Sequence, residues 1–157
     1  MRVGLLVCDH VAEEFKHIDG DYVDMFRRLL PHVELIPYFV CDNLFPKSVY
    51  SQDAWICTGS SHSVYESLDW IGNLTSFVRE VFRHNRKFVG ICFGHQMIAH
   101  ALEGRVEKSV EGWCIGLHTF KISTKEVWLH SAKNAFNVLM LCQDQVIELP
   151  PDGQILA

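Results

Sequence analysis

Cys92 lies between two glycines at the junction of a predicted strand and a predicted helix. An apolar run, Phe88 to Ile91, precedes the cysteine, and a helical pattern begins at Gly94. Gly90 and Gly94 stand on either side of the thiol, where a tight turn leaves no room for a Cβ atom. Such a turn exposes the thiol at the end of a strand, and the positive end of the helix dipole favours the thiolate. The pattern predicts a nucleophile; the alternative is an unreactive, buried cysteine.

The elements that must position this thiol follow from hydrophobic patterning along the chain. Strands alternate with helices as far as the helix after Cys92, which indicates a parallel sheet covered by helices on both faces. The predicted strands are Val3–Cys8, Val33–Val40, Ala54–Thr58 and Lys87–Cys92. The predicted helices begin after an N-cap in Asp19–Asp21 and cover Leu68–Asn85 and Gly94–Glu103, with Gly104 ending the last one.

The second half of the chain has a different pattern. Arg105 to Leu129 contains strand-like segments broken by glycines and no long helical pattern, so we expect additional antiparallel strands beside the main sheet. Val138–Leu141 is predicted to be another buried strand. Along the long predicted helix, the core-facing side chains are expected to be Leu68, Ile71, Leu74, Val78, Val81 and Phe82.

Ligands of open α/β sheets bind beyond the carboxyl ends of the strands. This rule places Asp9-His10, Gly59-Ser60 and Cys92 at one edge of the fold, with Cys142-Gln143 as a less certain addition. We expect Asp9 and His10 to lie in a solvated loop at this edge.

Composition narrows the class of protein. The 157 residues are 48% apolar and 21% charged, which is typical of a globular domain. A net charge of −5 and the lack of any basic run argue against nucleic acid or an anionic membrane surface as the partner. The six cysteines include no Cys-x-x-Cys pair, so we expect reduced thiols in a cytoplasmic protein, with no bound metal and no cofactor.

Residues 90–96, Gly-Ile-Cys-Phe-Gly-His-Gln, resemble the nucleophile elbow of the class I (triad-type) glutamine amidotransferases. Three weaker matches follow in the family's order: residues 56–71 resemble the third strand and oxyanion loop, residues 104–116 the segment after the elbow helix, and residues 137–150 the late strand. The resemblance covers nearly the whole chain and is closest to stand-alone, GMP-synthase-like members. It implies a flavodoxin-like, three-layer α/β sandwich.

The resemblance also implies roles for individual residues. Cys92 would attack the side-chain amide of glutamine, and the resulting thioester would give glutamate and ammonia. Backbone N–H groups of Phe93 and of Gly59 or Ser60 would stabilise the oxyanion. The expected substrate-binding positions are Gln96, Leu141, Cys142 and Gln143.

One feature of the family is missing from this sequence. Its catalytic histidine belongs to a late His-x-Glu motif, whereas no histidine of this chain follows Asp144. We therefore expect residues 1–157 to form one domain that is truncated at its C-terminus. His95 and His100 lie on a helix that leads away from the thiol and are poorly placed as bases, and Asp144 is expected only to order the late turn.

Three functions remain open at this point. The first is hydrolysis of glutamine, with ammonia passed to a separate synthetase or acceptor subunit. The second is a γ-glutamyl peptidase or hydrolase that uses the same chemistry. The third is a binding remnant without catalytic activity.

Overall fold

The computed structural model describes residues 1–124 and 134–157. Its central sheet contains four parallel strands in the order β2-β1-β3-β4. These strands are β1 (Arg2–Val7), β2 (Glu34–Phe39), β3 (Ala54–Cys57) and β4 (Lys87–Gly90). Each was predicted from the sequence to within two residues at either end, and the parallel sheet is confirmed.

The helices are α1 (Lys16–Asp19), α2 (Tyr22–Leu29), α3 (Asp69–Arg83) and α4 (Phe93–Ala101). The predicted N-cap of α2 is confirmed, because Asp21 and Asp24 form a reciprocal capping box at its start. α2 ends at Leu29, two residues before Pro31.

Two apolar layers enclose the sheet. Val3, Leu5 and Val7 of β1 face one side, where they pack with Val23 and Phe26 of α2. The alternate residues of β1 face the other side and join a larger core with α3 and α4. This alternation gives the three-layer α/β architecture that the sequence predicts.

Coverage of the sheet is less complete than predicted at its β4 edge. Val89 of β4 is exposed, so helices do not cover both faces along all four strands. In α3, Ile71, Leu74, Val78 and Val81 are buried as expected. Leu68 and Phe82 are exposed instead, because the buried stripe of α3 runs through Trp70 and Thr75.

The end of α4 also differs from the prediction in one detail. The left-handed residue beyond the helix is Glu103, with φ 71°, rather than Gly104. Gly104 meets a different requirement. A Cβ atom there would lie 2.7 Å from the carbonyl oxygen of Glu148, so this position needs a glycine because of close backbone approach.

Two antiparallel strand pairs follow α4. β5 (Arg105–Lys108) pairs with β8 (Asp144–Glu148), and β6 (Cys114–Lys121) pairs with β7 (Ala135–Cys142). The predicted antiparallel strands are thus confirmed, while residues 125–129 of that prediction lie outside the described residues.

The predicted strand at Val138–Leu141 is present within β7, but its predicted burial is wrong. Leu139 is 79% exposed and Leu141 is 69% exposed. Both lie opposite apolar residues of β6, in the register pairs Leu117↔Leu139 and Ile115↔Leu141. These four side chains form an exposed surface that we call the apolar ribbon face.

Within the two described segments, every helix is too short or too polar to cross a membrane. All six cysteines are free thiols.

Candidate active site

Cys92 occupies the predicted sharp turn between β4 and α4. Its backbone has φ 52° and ψ −107°, a conformation that is rare for a residue with a side chain. The flanking glycines are required by close packing. A Cβ on Gly90 would lie 2.3 Å from the carbonyl carbon of Gly94, and a Cβ on Gly94 would lie 2.5 Å from the carbonyl oxygen of Cys57. The turn therefore has the strained geometry of a nucleophile elbow.

Backbone hydrogen bonds join the elbow to the end of β3. Ile91 N–H donates to the Cys57 carbonyl at 3.1 Å, and Gly94 N–H donates to the Thr58 carbonyl at 3.2 Å. Gly59 is brought so close that a Cβ there would lie 3.6 Å from Cys92 Cβ. The structure thus brings Gly59, the thiol and the Phe93 N–H together at one edge of the sheet.

The loop after β3 is fixed by a carboxylate from the neighbouring strand. Asp9 Oδ2 accepts a hydrogen bond from Ser61 N–H at 2.7 Å, and its Oδ1 accepts one from His10 N–H at 2.8 Å. Partial burial opposes ionisation of Asp9, but these donors outweigh it and lower the pKa of its carboxyl group. Our expectation that Asp9 lies in a free, solvated loop is wrong, since its position at the end of β1 places it against Ser61.

Further contacts hold the rest of this loop. Thr58 Oγ1 accepts from Cys8 N–H at 3.0 Å and donates to the Gly59 carbonyl at 2.9 Å. Glu66 binds back to the loop through Ser63 N–H at 2.6 Å and His62 Nδ1 at 2.9 Å. Sequence reasoning missed these supporting residues, although a serine followed three positions later by a glutamate is a recognisable capping signal.

The ionisation of Cys92 differs from the prediction. Partial burial raises the pKa of the thiol above its ordinary value, the Phe93 N–H opposes that rise, and the nearby Asp144 carboxylate adds to it. The favourable effect expected from the start of α4 is outweighed. Because the thiol is the dominant form at neutral pH, attack by this sulfur requires a base.

Gln96 connects α4 to the start of β8. Its side chain is buried, and its Nε2 donates to the Asp144 carbonyl oxygen at 3.0 Å. The Asp144 carboxylate accepts a hydrogen bond from the Tyr65 hydroxyl at 3.0 Å. The expectation that Asp144 orders the late turn agrees with these contacts, and Gln96 reaches the same turn from the elbow helix.

The other three predicted substrate-binding residues have different surroundings. Cys142 lies near enough to Cys92 for the Cys92 charge to contribute, after burial, to a raised Cys142 pKa. The Gln143 carbonyl accepts a hydrogen bond from Ser109 N–H at 2.9 Å. Leu141 lies on the apolar ribbon face, so its side chain reaches solvent. Cys142 and Gln143 thus approach the site through the backbone turn between β7 and β8.

Histidines in the described segments do not hydrogen-bond to the Cys92 thiol. Burial lowers the pKa of His95 and His100, and both lie along α4 beyond the nucleophile. The chain has one early His-x-Glu spacing, at His32-Val33-Glu34. It lies at the amino end of β2, where Glu34 pairs with Arg2 of β1, and thus at the edge of the sheet opposite to Cys92.

Comparison with known proteins agrees with this arrangement. Residues 23–157 match the family described as glutamine amidotransferase class-I. The chain is 31% identical over 155 residues to γ-glutamyl peptidase 4 of Arabidopsis thaliana, a match covering 93% of this chain and 62% of that protein. It is 30% identical over 105 residues to a subunit of the glutamine-hydrolysing GMP synthase of Saccharolobus solfataricus, covering 67% and 54%.

A solved glutamine amidotransferase from Thermotoga maritima has the same fold, with a TM-score of 0.77 at 17% identity over 96% of this chain and 64% of that one. The chain thus spans less than two thirds of the length of these relatives. The family match covers the elbow, the loop after β3 and the β7–β8 turn. The chain belongs to the class I glutamine amidotransferase family.

Proposed function

We propose that this chain carries the nucleophile of a cysteine amidohydrolase that acts on γ-glutamyl amides, with the glutamine side chain as the first candidate substrate. Cys92 Sγ attacks the amide carbonyl carbon after its proton passes to a base. The tetrahedral intermediate collapses to a thioester as ammonia leaves with a proton. Water then attacks the thioester, which releases glutamate and restores the thiol.

The observation that carries this proposal is the elbow geometry. A cysteine with φ 52° at the start of α4 holds its sulfur beside the Phe93 N–H, and Gly59 lies against its Cβ. Donors in this position stabilise negative charge on an attacked carbonyl oxygen, which is the largest single contribution in many acyl-transfer enzymes. A structural cysteine has no need of this strained turn.

The proposal requires a base from outside the described residues. The raised pKa of Cys92 means that the thiolate is a minor species near neutral pH. The nearest negative group is Asp144, which disfavours the thiolate. An imidazole able to reach Sγ would remove this barrier by accepting the proton during attack.

A γ-glutamyl peptide is the second candidate substrate. The support comes from γ-glutamyl peptidase 4, whose similarity extends over 93% of this chain, against 67% for the GMP synthase subunit. The bond cleaved is again an amide of the γ-carboxyl group, so the same thioester forms and the leaving group is an amine. The similarity to a GMP synthase subunit supports a separate synthetase as the ammonia acceptor when glutamine is the substrate.

Parallel assays of glutamate release from glutamine and from γ-glutamyl dipeptides test this proposal. Turnover is expected from the unmodified chain and not from Cys92→Ser. Cys114→Ser is the matched control, because Cys114 is a partly buried cysteine on β6 and is not one of the residues assigned to the site. Far-ultraviolet circular dichroism verifies that each variant is folded.

The two substrates also separate the candidates. Release from dipeptides with none from glutamine favours the peptidase function. Full activity in Cys92→Ser, or no turnover of any γ-glutamyl amide, contradicts the proposal and favours the non-catalytic alternative.

A further inference from the structure

A second cluster of reactive side chains lies at the carboxyl ends of β1 and β2. His10 follows β1, while Cys41 and Asp42 lie in a short 3₁₀ helix directly after β2. Because β1 and β2 are parallel neighbours, their ends bring these residues together. The ligand atoms of the three side chains all lie within 4.8 Å of one another.

The distances within this cluster resemble those between ligands of a tetrahedral metal ion. His10 Nε2 lies 3.6 Å from Cys41 Sγ and 3.0 Å from Asp42 Oδ2. Zinc bonds of about 2.0 Å to nitrogen and about 2.3 Å to sulfur would separate those two ligands by about 3.5 Å. Nitrogen and carboxylate oxygen would lie about 3.3 Å apart in the same geometry. Only small side-chain adjustments would be required.

The other face of the His10 ring is already fixed. His10 Nδ1 lies 3.5 Å from Asp21 Oδ2, and the ring stacks on Phe39 with centroids 5.5 Å apart. Asp21 is itself held as the N-cap of α2 and lies 3.5 Å from Lys16 Nζ. Metal-binding histidines commonly donate their second ring N–H to a carboxylate, which orients the ring and selects the tautomer that binds the ion.

We propose that His10 Nε2, Cys41 Sγ and Asp42 Oδ2 bind a divalent cation of the zinc type, with water as the fourth ligand. A nitrogen, a sulfur and a carboxylate oxygen suit zinc, whereas calcium and magnesium prefer oxygen ligands. Binding requires loss of the Cys41 thiol proton to solvent as the Sγ–metal bond forms. The site is separate from Cys92 and does not depend on the proposed amidohydrolase function.

Occupancy of this site would stiffen the edge of the fold that carries the elbow. His10 is adjacent to Asp9, whose carboxylate holds Ser61 N–H in the loop after β3. An ion that joins the ends of β1 and β2 would restrict the backbone between them. A divalent cation should therefore raise the melting temperature of the chain even when Cys92 is absent.

The test is a cobalt titration of the full chain carrying Cys92→Ser, so that the exposed elbow thiol cannot bind the probe. Cobalt is spectroscopically visible and takes the same ligands as zinc. The expected result is one equivalent bound, a thiolate-to-cobalt charge-transfer band, and displacement of cobalt by zinc. Cys41→Ser should remove the band.

Two further variants sharpen this test. Asp21→Asn retains a good N-cap for α2 but weakens the carboxylate behind His10, so cobalt affinity should fall about tenfold. Cys114→Ser is the matched control and should leave binding unchanged, although Cys114 Sγ also lies beside a histidine, at 3.4 Å from His118 Nε2. Loss of the band only in Cys114→Ser, its retention in Cys41→Ser, or no cobalt binding by the folded chain would overturn the proposal.

Discussion

The parallel sheet and the β6–β7 pair place similar apolar residues in opposite environments. Leu5 and Leu6 of β1 are fully buried, because α2 covers one face of the strand and the α3–α4 layer covers the other. Leu117 and Leu139 are 70% and 79% exposed on the apolar ribbon face. Apolar composition therefore predicts a strand in both regions, but a second layer of structure decides whether that strand is buried.

This difference extends to the candidate site. Cys92, Phe93 and Gly59 are held by close backbone packing between β3, β4 and α4. Cys142 and Gln143 come from the end of β7, and their link to the core passes through the turn at Asp144 and its contact with Gln96. The nucleophile side of the site is thus the more rigid side.

Removing a buried leucine from the parallel-sheet layers should give the largest effect on stability. Leu74 of α3 is fully buried, so Leu74→Ala should lower the free energy of unfolding by about 2 to 5 kcal/mol. Leu139→Ala on the apolar ribbon face is the matched control and should change it by less than about 0.5 kcal/mol. Urea denaturation measures both. Equal losses would mean that the apolar ribbon face is buried in solution, and the comparison would fail.

The close packing of the elbow predicts a strong effect at Gly94. A Cβ there would lie 2.5 Å from the Cys57 carbonyl oxygen, so Gly94→Ala should cost about 1 to 3 kcal/mol and displace the thiol. Gly72→Ala in α3 is the control, because a Cβ at Gly72 meets no atom within 4 Å. This change should stabilise the chain by up to about 1 kcal/mol. Thermal unfolding of the two variants compares them, and an unaffected Gly94→Ala would contradict the close-packed elbow.

The bridge between the two regions is open to a more selective test. Gln96→Ala removes the donor to the Asp144 carbonyl and should cost about 1 to 2 kcal/mol. Hydrogen exchange of β8 amides should increase in this variant, because the turn loses its tie to α4. Gln154→Ala, at an exposed position, should change neither property. If β8 exchange is unchanged in Gln96→Ala, the ribbon side is anchored by other contacts.

The smallest expected effect concerns the charge around the nucleophile. Since burial and then Asp144 raise the pKa of Cys92, its alkylation by iodoacetamide should increase with pH through a midpoint above the free-cysteine value of about 8.5. Asp144→Asn should lower that midpoint, and Asp152→Asn, an exposed carboxylate, should not. Peptide mapping isolates the Cys92 rate. A plateau already reached at neutral pH would show that the helix dipole outweighs burial.

Much of the parallel half could be predicted from the sequence. Alternating apolar residues define β1, Asp21 marks the start of α2, and Gly90 and Gly94 mark the turn at Cys92. Each of these signals is local, and each agrees with the tertiary structure.

Predictions that depend on distant partners were the ones that failed. The role of Asp9 depends on Ser61, which lies far along the chain and meets Asp9 only after β1 and β3 pair. Exposure of Leu139 depends on which element packs against β7, and strand patterning contains no such information. The raised pKa of Cys92 depends on partial burial and on Asp144, whereas the sequence shows only the start of a helix.

Covalent labelling with a glutamine analogue tests the account most directly. In such an analogue a diazoketone replaces the side-chain amide, so a reactive thiol placed at a glutamine site displaces nitrogen and retains the label. Peptide mass mapping should find the adduct on Cys92, and excess glutamine or γ-glutamyl peptide should suppress it. No adduct at Cys92, or one that these ligands leave unchanged, would contradict the assignment of Cys92 as the nucleophile of a γ-glutamyl amide site.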